Sequence, residues 1–292
     1  AQASFHSSGL TTTMALKFSE DRFGGITINV DAMSAEAFRD ALGPSLEKWA
    51  NADKRGIWLR IPIEASHLIP VAVDCGFDFH HAKPGYVMLT AWLPRGPSSL
   101  PAYPHHQVGV GGLVLDGSGN VLCIQERAGV TAGMKDFWKL PGGLVDGGED
   151  LCDAVVREVL EETGVRTVFE CIASIRETHA GPFGCTDLYA ICVLRLDETA
   201  YGPETDTQRP DPVPQEKEIA ATEWRALTGF LASPYYAKGL YGSLLKTAAD
   251  VALRRHRGEQ VGVERTRMKG LTRKQESMYY VGGEPVIRKA RL

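Results

Sequence analysis

One stretch, from Gly143 to Val165, limits what this chain can fold into more than any other part of it. It reads as glycine, five residues, glutamate, seven residues, Arg-Glu, an apolar residue, any residue, Glu-Glu, any residue, glycine and an apolar residue. Apolar residues at near-helical spacing predict an amphipathic helix over about 150–163. The glycines before it are typical of a loop, and Gly164 is placed to end the helix in a left-handed turn.

Three glutamates share one face of the predicted helix, because Glu158, Glu161 and Glu162 are three and four residues apart. Their like charges repel each other, and a cation bound between them would offset that cost. Oxygen ligands of this kind suit Mg²⁺ or Mn²⁺. The alternative is a solvated acidic face paired with Arg157. Since the glycines, Glu149 and the apolar positions keep the same register, we favour the metal site.

At this point the stretch resembles a complete Nudix box, with every defined position filled. The resemblance covers about 107–255 and implies an α/β fold, an α/β/α sandwich around a mixed sheet. It also implies a Mg²⁺- or Mn²⁺-dependent hydrolase that acts on a nucleoside diphosphate linked to another group. The carbonyl of Gly143 is expected to join the three glutamates around the metal, and Glu158 is either a ligand or the group that orients or deprotonates water. Arg157 is expected to hold Glu149 or a neighbouring carboxylate by a bidentate pair.

Residues 18–95 read as a separate small α/β domain, in which 25–30 alternate as a strand and Ser34 is placed to cap a helix. The segment from Cys75 to Pro94 is similar to the extra domain of one Nudix subgroup, the antisense fibroblast growth factor-like proteins of animals and the plant NADH and ADP-ribose pyrophosphatases. That domain resembles an acetyltransferase fold. We predict no acetyl transfer, because a glycine-rich acetyl-CoA loop is missing from the sequence. The subgroup implies NADH or ADP-ribose as substrate, AMP as one product and a homodimer formed through this domain.

Adjacent histidines in this domain, His80 and His81, are interpreted as a hydrogen-bonded structural pair. Strand alternation places them on opposite faces, so they are not expected to grip one metal ion together. A linker is predicted over 96–106, where proline, glycine and serine are frequent. Beyond it, 107–115 and 121–126 are predicted to form a hairpin.

Substrate recognition is expected outside the box, and the candidate residues are of three kinds. A nucleotide base needs an aromatic platform, and a phosphate or carboxylate needs a cation. The family often supplies a further carboxylate from a strand beside the site. Each candidate could equally be ordinary core packing or surface charge. The candidates are the aromatic residues Phe137, Trp138 and Phe183, the cation Arg127, and the carboxylates Glu216 and Glu218.

The net charge of −4 hides an asymmetry along the chain. From Arg254 onward there are eleven Lys or Arg and four Glu, a balance of +7, which leaves about −11 for the residues before it. We predict a basic tail over 256–292 that docks on an acidic partner or RNA. This tail and the extra domain favour a second hypothesis, a Nudix-fold binding or structural subunit of an organellar or RNA-containing assembly.

Composition gives further expectations about the compartment. Residues 1–17 lack acids and are rich in Ser and Thr, so they are interpreted as a transit-like or flexible segment. A mitochondrion or other organelle is expected, with the cytosol as an alternative and the peroxisome a weaker one, because Ala290-Arg291-Leu292 loosely resembles a peroxisomal signal. Six scattered cysteines predict reduced thiols in an intracellular compartment rather than disulfides or a zinc site. No apolar run approaches the ~20 residues that span a bilayer.

Overall fold

A computed structural model describes residues 15–129, 131–179, 181–202, 209–269 and 275–281. Residues 1–14, most of the segment interpreted as transit-like, and the final tripeptide lie outside the described residues. The chain splits into two compact units, residues 1–104 and 105–292. In the described part of the chain, no helix is both long enough and apolar enough to cross a membrane.

Over residues 15–104, the described part of the first unit, the chain forms a five-stranded sheet with helices packed on it. A short 3₁₀ turn, Ile63–Leu68, precedes its second helix. The sheet order is β1-β2-β3-β5-β4, and β2 and β3 run parallel while the other neighbours run antiparallel. The elements are β1 (Phe18–Glu20), β2 (Ile26–Asn29), α1 (Ala35–Asn51), β3 (Gly56–Pro62), α2 (Ile69–Asp74), β4 (Asp78–Lys83) and β5 (Tyr86–Trp92).

Local signals explain the elements of the first unit. The Ser34 hydroxyl accepts a hydrogen bond from the Ala37 N–H at 3.2 Å, so the predicted helix cap is confirmed. The apolar stripe of α1 buries Phe38 and Leu42 against the alternating apolar side of β2 and β3. The description of this unit as acetyltransferase-like stays a prediction.

The histidine pair is hydrogen-bonded, but our reasoning about its faces was wrong. The two Nδ1 atoms of His80 and His81 lie 2.7 Å apart. A bulge between Phe79 and His81 breaks the register of β4 with β5, and so breaks the alternation that would separate the rings. The other nitrogen of His80 contacts the carbonyl of Pro101 at 2.9 Å, as expected of a structural pair.

In its described residues, the second unit holds seven strands in two sheets. Its elements, apart from a 3₁₀ turn at Pro182–Gly184, are β6 (His106–Val114), β7 (Asn120–Glu126), α3 (Leu151–Thr163), β8 (Thr167–Thr178), β9 (Thr186–Leu196), α4 (Glu198–Tyr201), β10 (Ile219–Ala226), α5 (Leu227–Leu231), α6 (Leu240–His256), β11 (Val263–Lys269) and β12 (Gln275–Val281).

The larger sheet is mixed and lies between two helices, as the fold prediction requires. Its order is β12-β11-β8-β9-β6, with β6 parallel to β9 and the other pairs antiparallel. Apolar residues of α3, among them Val155 and Val159, form one core with this sheet. Leu245 and Ala248 of α6 belong to the other core. The expected α/β/α sandwich is therefore confirmed.

The predicted hairpin of 107–115 with 121–126 is wrong. The two strands form, but β6 pairs with β9, and β7 pairs with β10 in a separate two-stranded sheet. An isolated bridge between Leu115 and Val121 is what remains of the hairpin. The turn at Asp116 therefore connects strands of two different sheets, not two strands that pair with each other.

A basic tail that begins at 256 is not what the structure shows for residues 263–269 and 275–281. These residues form β11 and β12, an antiparallel pair that joins the larger sheet through Val263 and Ile172. We call β11 and β12 the C-terminal strand pair. Residues 270–274 and 282–292 lie outside the described residues, and docking of this region on an acidic partner or RNA remains a prediction. All six cysteines are free, and four of them are buried.

Candidate active site

The helix that carries the three glutamates begins after Asp150 and ends at Gly164. Gly164 adopts the left-handed conformation with φ of +69°. Its N–H donates to the Leu160 carbonyl at 2.8 Å, so the predicted helix end is confirmed. The N-terminus is different, because the Asp150 side chain makes no capping hydrogen bond to the helix.

Arg157 lies at the centre of a carboxylate network. Its Nε and Nη2 donate to the two oxygens of Glu149 at 2.8 and 2.9 Å, which is a bidentate pair. Its Nη1 donates to Glu158 at 2.8 Å and to Glu161 at 3.2 Å. A fifth hydrogen bond, at 3.1 Å, goes to the Leu144 carbonyl. The hydrogen bonds to Glu149, together with the other carboxylates, raise the pKa of Arg157 above its usual range. One guanidinium therefore sets the positions of three carboxylates.

Glu162 is buried against the loop that precedes the helix. It is 8% exposed, and its Oε2 accepts a hydrogen bond from the Gly142 N–H at 2.7 Å. Burial raises the pKa of Glu162 to about 7, although the Gly142 hydrogen bond and the charge of Lys139 act in the opposite direction. A Cβ on Gly142, which has a φ of +153°, would overlap the Val110 carbonyl. Glycine at this position therefore lets the loop approach both β6 and Glu162.

Glu158 lies directly over Gly143. A Cβ added to Gly143 would be 2.6 Å from Glu158 Oε1. Burial raises the pKa of Glu158, and its hydrogen bond from Arg157 opposes the shift. The carbonyl of Gly143 accepts a hydrogen bond from the Val110 N–H at 2.8 Å, and its second lone pair could still bind a metal. Glu161 is about half exposed, with a side-chain exposure of 54%.

Lys139 and Glu126 form an ion pair close to Glu162, and sequence reasoning missed both. Lys139 Nζ contacts Glu126 Oε1, and the hydroxyl of Thr131 donates to the other oxygen. The charges of Lys139 and Glu126 both act on the pKa of Glu162, in opposite directions. Lys139 forms an isolated bridge with Ile124 and precedes the buried Leu140. A charged residue next to a buried one, just before Pro141, was the available signal.

A tyrosine beside Gly143, and the arginine that packs on its ring, were also missed. A Cβ on Gly109 would lie 3.0 Å from the Tyr189 ring and 3.5 Å from the Gly143 carbonyl oxygen, so the two flank the same glycine. Arg176 lies over the Tyr189 ring at 5.2 Å and pairs with Asp187 at 2.9 Å. Glycine inside a strand marks a close approach, and the glycines of β6 were the available signal.

The aromatic candidates before the box are used in packing. Phe137 packs against Tyr235 and Tyr236, with ring centroids 5.0 and 5.9 Å away. Trp138 lies under the Arg225 guanidinium at 4.6 Å and lines a cavity of about 470 Å³ with Tyr235 and other residues. Both rings pack against the core that contains Leu140 and Tyr236. In the described residues, none of the three helix glutamates lines this cavity.

The remaining predicted substrate contacts lie just after β7, in the segment before β10 and in the 3₁₀ turn before β9. Arg127 donates from Nη2 to the Ile219 carbonyl at 3.2 Å, and so supports β10. Glu216 and Glu218 are exposed, and the backbone beside them reaches the end of α3, where the Gln215 N–H donates to the Glu162 carbonyl at 3.2 Å. Phe183 is fully exposed at 101%. Glu216 is thus the candidate carboxylate whose backbone runs beside the helix.

The donor set around the glutamates fits a hard divalent cation. It consists of carboxylates and a backbone carbonyl, two of the carboxylates are held in a partly buried cluster with raised pKa, and glycines leave room above them. In the described residues, the three groups whose ligand atoms all lie within 4.8 Å of one another are instead Asp150, Cys152 and Asp153. The carboxylates there are already paired with Arg265 and Arg267, so we do not interpret them as a metal site.

Two domain families match the chain. Residues 16–93 match the Nudix hydrolase domain, and residues 105–241 match the NUDIX domain. A mouse (Mus musculus) protein, nucleoside diphosphate-linked moiety X motif 6, is 45% identical over 60% of this chain and 58% of its own length. Nudix hydrolase 8 of Arabidopsis thaliana is 39% identical over 74% of this chain and 56% of its own length.

Nudix hydrolase 2 of Arabidopsis thaliana is similar over almost the whole chain. It is 34% identical over 92% of this chain and 91% of its own length. By contrast, this chain spans just over half the length of the mouse protein and of Nudix hydrolase 8. With both units matched, the box in place and a relative aligned nearly end to end, the chain belongs to the Nudix hydrolase family.

Proposed function

We propose that the chain hydrolyses a nucleoside diphosphate linked to another group, with the help of a divalent cation. One observation carries the proposal: Arg157 holds Glu149, Glu158 and Glu161 in place, while Glu162 is buried against Gly142. A cluster of carboxylates costs free energy through repulsion and desolvation. A function that needs those charges explains why the chain maintains it.

Glu162, Glu161 and Glu158 would hold Mg²⁺ or Mn²⁺, with the carbonyl of Gly143. A bound divalent cation would neutralise the diphosphate oxygens and lower the pKa of a bound water. Glu149 supports Arg157 through the bidentate pair, and Arg157 in turn keeps Glu158 and Glu161 in position. Such supporting groups typically matter 10–100-fold for metal affinity or activity.

The reaction joins the oxygen of water to one phosphorus and breaks that phosphorus's bond to the bridging oxygen. The bridging oxygen leaves with the other phosphate, and the water proton passes to a base. Glu158 is the candidate for that base, or else a further metal ligand. Its burial and its raised pKa suit it to holding a proton. The pH dependence of kcat in a Glu158→Gln variant distinguishes the two roles. If Glu158 is the base, the fall in kcat at low pH disappears in the variant. If Glu158 is only a ligand, another group is the base and that fall remains.

NADH or ADP-ribose is the proposed substrate, and AMP the proposed product. The subgroup resemblance of residues 18–95 supports this choice, and the name of the mouse relative refers to nucleoside diphosphate-linked moieties in general.

The test is a hydrolysis screen with Mg²⁺ or Mn²⁺ over NADH, NAD, ADP-ribose, FAD, coenzyme A and diadenosine polyphosphates. We expect one nucleotide to release AMP, and Glu162→Gln to abolish that release. Glu47→Gln serves as a matched control, because the same substitution there removes an exposed carboxylate of α1, in the first unit. The proposal fails if folded protein that binds Mn²⁺ turns over none of these compounds.

The second hypothesis, a binding or structural subunit, predicts that the folded protein turns over none of these compounds. The C-terminal strand pair weakens one of its supports, since Arg265 and Arg267 are engaged within the unit. A homodimer through the first unit is carried as a further proposal. Light scattering of the full chain tests it, and a monomer at micromolar concentration would contradict it.

A further inference from the structure

The C-terminal strand pair caps the helix that carries the glutamates. Asp150 does not cap the helix with its own side chain. Instead, the Cys152 N–H donates to the hydroxyl of Tyr279 at 3.3 Å. The hydroxyl of Ser277 donates to Asp150 Oδ2 at 2.7 Å. A strand pair that begins 100 residues after the helix thus supplies a partner for one of the N–H groups that a helix N-terminus leaves without an intrahelical acceptor.

Two arginines of β11 hold both aspartates at this end of the helix. Arg265 Nη2 donates to Asp150 at 2.9 Å, and its Nη1 donates to Asp153 at 3.3 Å. Arg267 Nη2 donates to Asp150 at 3.3 Å and to Asp153 at 2.5 Å. Each oxygen of Asp153 therefore has its own guanidinium, and the carboxylate is directed toward the strand pair.

The spacing of residues along the helix connects these two aspartates to Arg157 and the glutamate cluster. Asp153, Arg157 and Glu161 follow one another at intervals of four, so they share a stripe. An acid four residues before a base is the more favourable orientation of such a helical pair. Asp153 is therefore well placed to compete for Arg157, whose hydrogen bonds now go to Glu149, Glu158, Glu161 and the Leu144 carbonyl.

We propose that Arg265 and Arg267 are positioning residues for the glutamate cluster. By holding the Asp153 carboxylate on the strand pair, they keep it from binding Arg157. Arg157 then remains hydrogen-bonded to Glu149, Glu158 and Glu161. Their effect on catalysis rests on the proposed function, whereas their effect on Arg157 does not. Loss of both guanidiniums frees Asp153 to draw Arg157 toward it, and the cluster then loses its organising cation.

The decisive experiment is a rescue. Arg265→Gln/Arg267→Gln should lower kcat about tenfold, and addition of Asp153→Asn should restore most of it, because the competing carboxylate is then gone. If the two arginines only stabilise the fold, Asp153→Asn removes one more contact and restores nothing. Arg254→Gln is the matched control, since Arg254 pairs with Glu259 and Asp250 outside this network.

A second readout follows Arg157 directly. Its Nε–H signal in a proton–nitrogen spectrum, assigned by its absence in Arg157→Lys, should shift in the double variant and return with Asp153→Asn. If the double variant fails to fold, Arg267→Gln alone should give a smaller shift in the same direction. An unchanged Arg157 signal in the folded variants overturns the inference.

The two readouts separate this inference from the proposed function. Absence of turnover in the unmodified chain, together with a shifted and rescued Arg157 signal, contradicts the function and supports the positioning role. If the double variant keeps normal turnover and the Arg157 signal does not shift, the function is supported and the positioning role is overturned.

Discussion

At Gly143, the absence of a side chain leaves room for the carboxylate of Glu158. Gly143→Ala would place a Cβ 2.6 Å from Glu158 Oε1, so the carboxylate must move. We expect turnover and Mn²⁺ affinity to fall by about 10–100-fold, the range for groups that orient metal ligands. Gly147→Ala is the control, because a Cβ there meets nothing within 4 Å. Equal losses in the two variants would contradict the steric explanation.

Arg157 offers a second test of geometry at the residue scale. Arg157→Lys keeps the positive charge, but an ammonium cannot form the two parallel bonds to Glu149. We expect turnover to fall by about 10–100-fold while the melting temperature changes by only a few degrees. Arg195→Lys provides the comparison, since Arg195 contacts Glu198 at 3.8 Å on an exposed surface. Near-normal turnover of Arg157→Lys would show that charge alone suffices.

At the scale of elements, the turn between β6 and β7 depends on one carboxylate. Asp116 is 4% exposed, and it accepts hydrogen bonds from the backbone N–H groups of Ser118 and Asn120 at 3.0 and 2.7 Å. It also pairs with Arg209. Burial alone would raise the pKa of Asp116, but the hydrogen bonds from Asn120 and the contact with Arg209 outweigh it, so the pKa is lowered.

This turn should therefore lose stability in acid. A lowered pKa means that the folded state binds the proton less readily, so the contribution of Asp116 is complete above a pH of about 4 and disappears below it. We expect Asp116→Asn to reduce the free energy of unfolding by about 1.5–3 kcal/mol at pH 7. In urea titrations, that difference should shrink at pH 3. Asp250→Asn, at an exposed site, should cost far less at either pH.

Sequence reasoning succeeded for elements whose contacts are local. The helix end at Gly164 and the cap at Ser34 depend on partners within four residues. The glutamate face follows from helical spacing alone. Each of these signals is complete within one short window of sequence.

Sequence reasoning failed where a residue's partner is distant along the chain, or where a bulge interrupts the alternation of a strand. β7 pairs with β10, about a hundred residues later, so a local turn signal wrongly indicated a hairpin with β6. Arg265 and Arg267 appeared as tail charge because their partners, Asp150 and Asp153, lie more than a hundred residues earlier. At His81, a bulge reversed the face that alternation predicts.

At the scale of the whole molecule, each unit has a hydrophobic core of its own. Phe38 and Leu42 belong to the core of the first unit, whereas Leu245 and Val155 belong to cores of the second. We expect calorimetry of the full chain to resolve two unfolding transitions, of which Mn²⁺ raises one. Phe38→Ala, which should cost about 3–5 kcal/mol, should lower the other transition. A single transition that moves as a whole would contradict this expectation.

The C-terminal strand pair also bears on where this protein can be cut and how it changes over evolution. The matched NUDIX domain ends at residue 241, yet the side chains that hold Asp150 and Asp153 come from 263–281. A shortened chain designed from the domain match alone would keep Glu158, Glu161 and Glu162 but lose the side chains that contact the start of their helix. Among relatives, the aspartates and the arginines should accordingly be inherited or lost together.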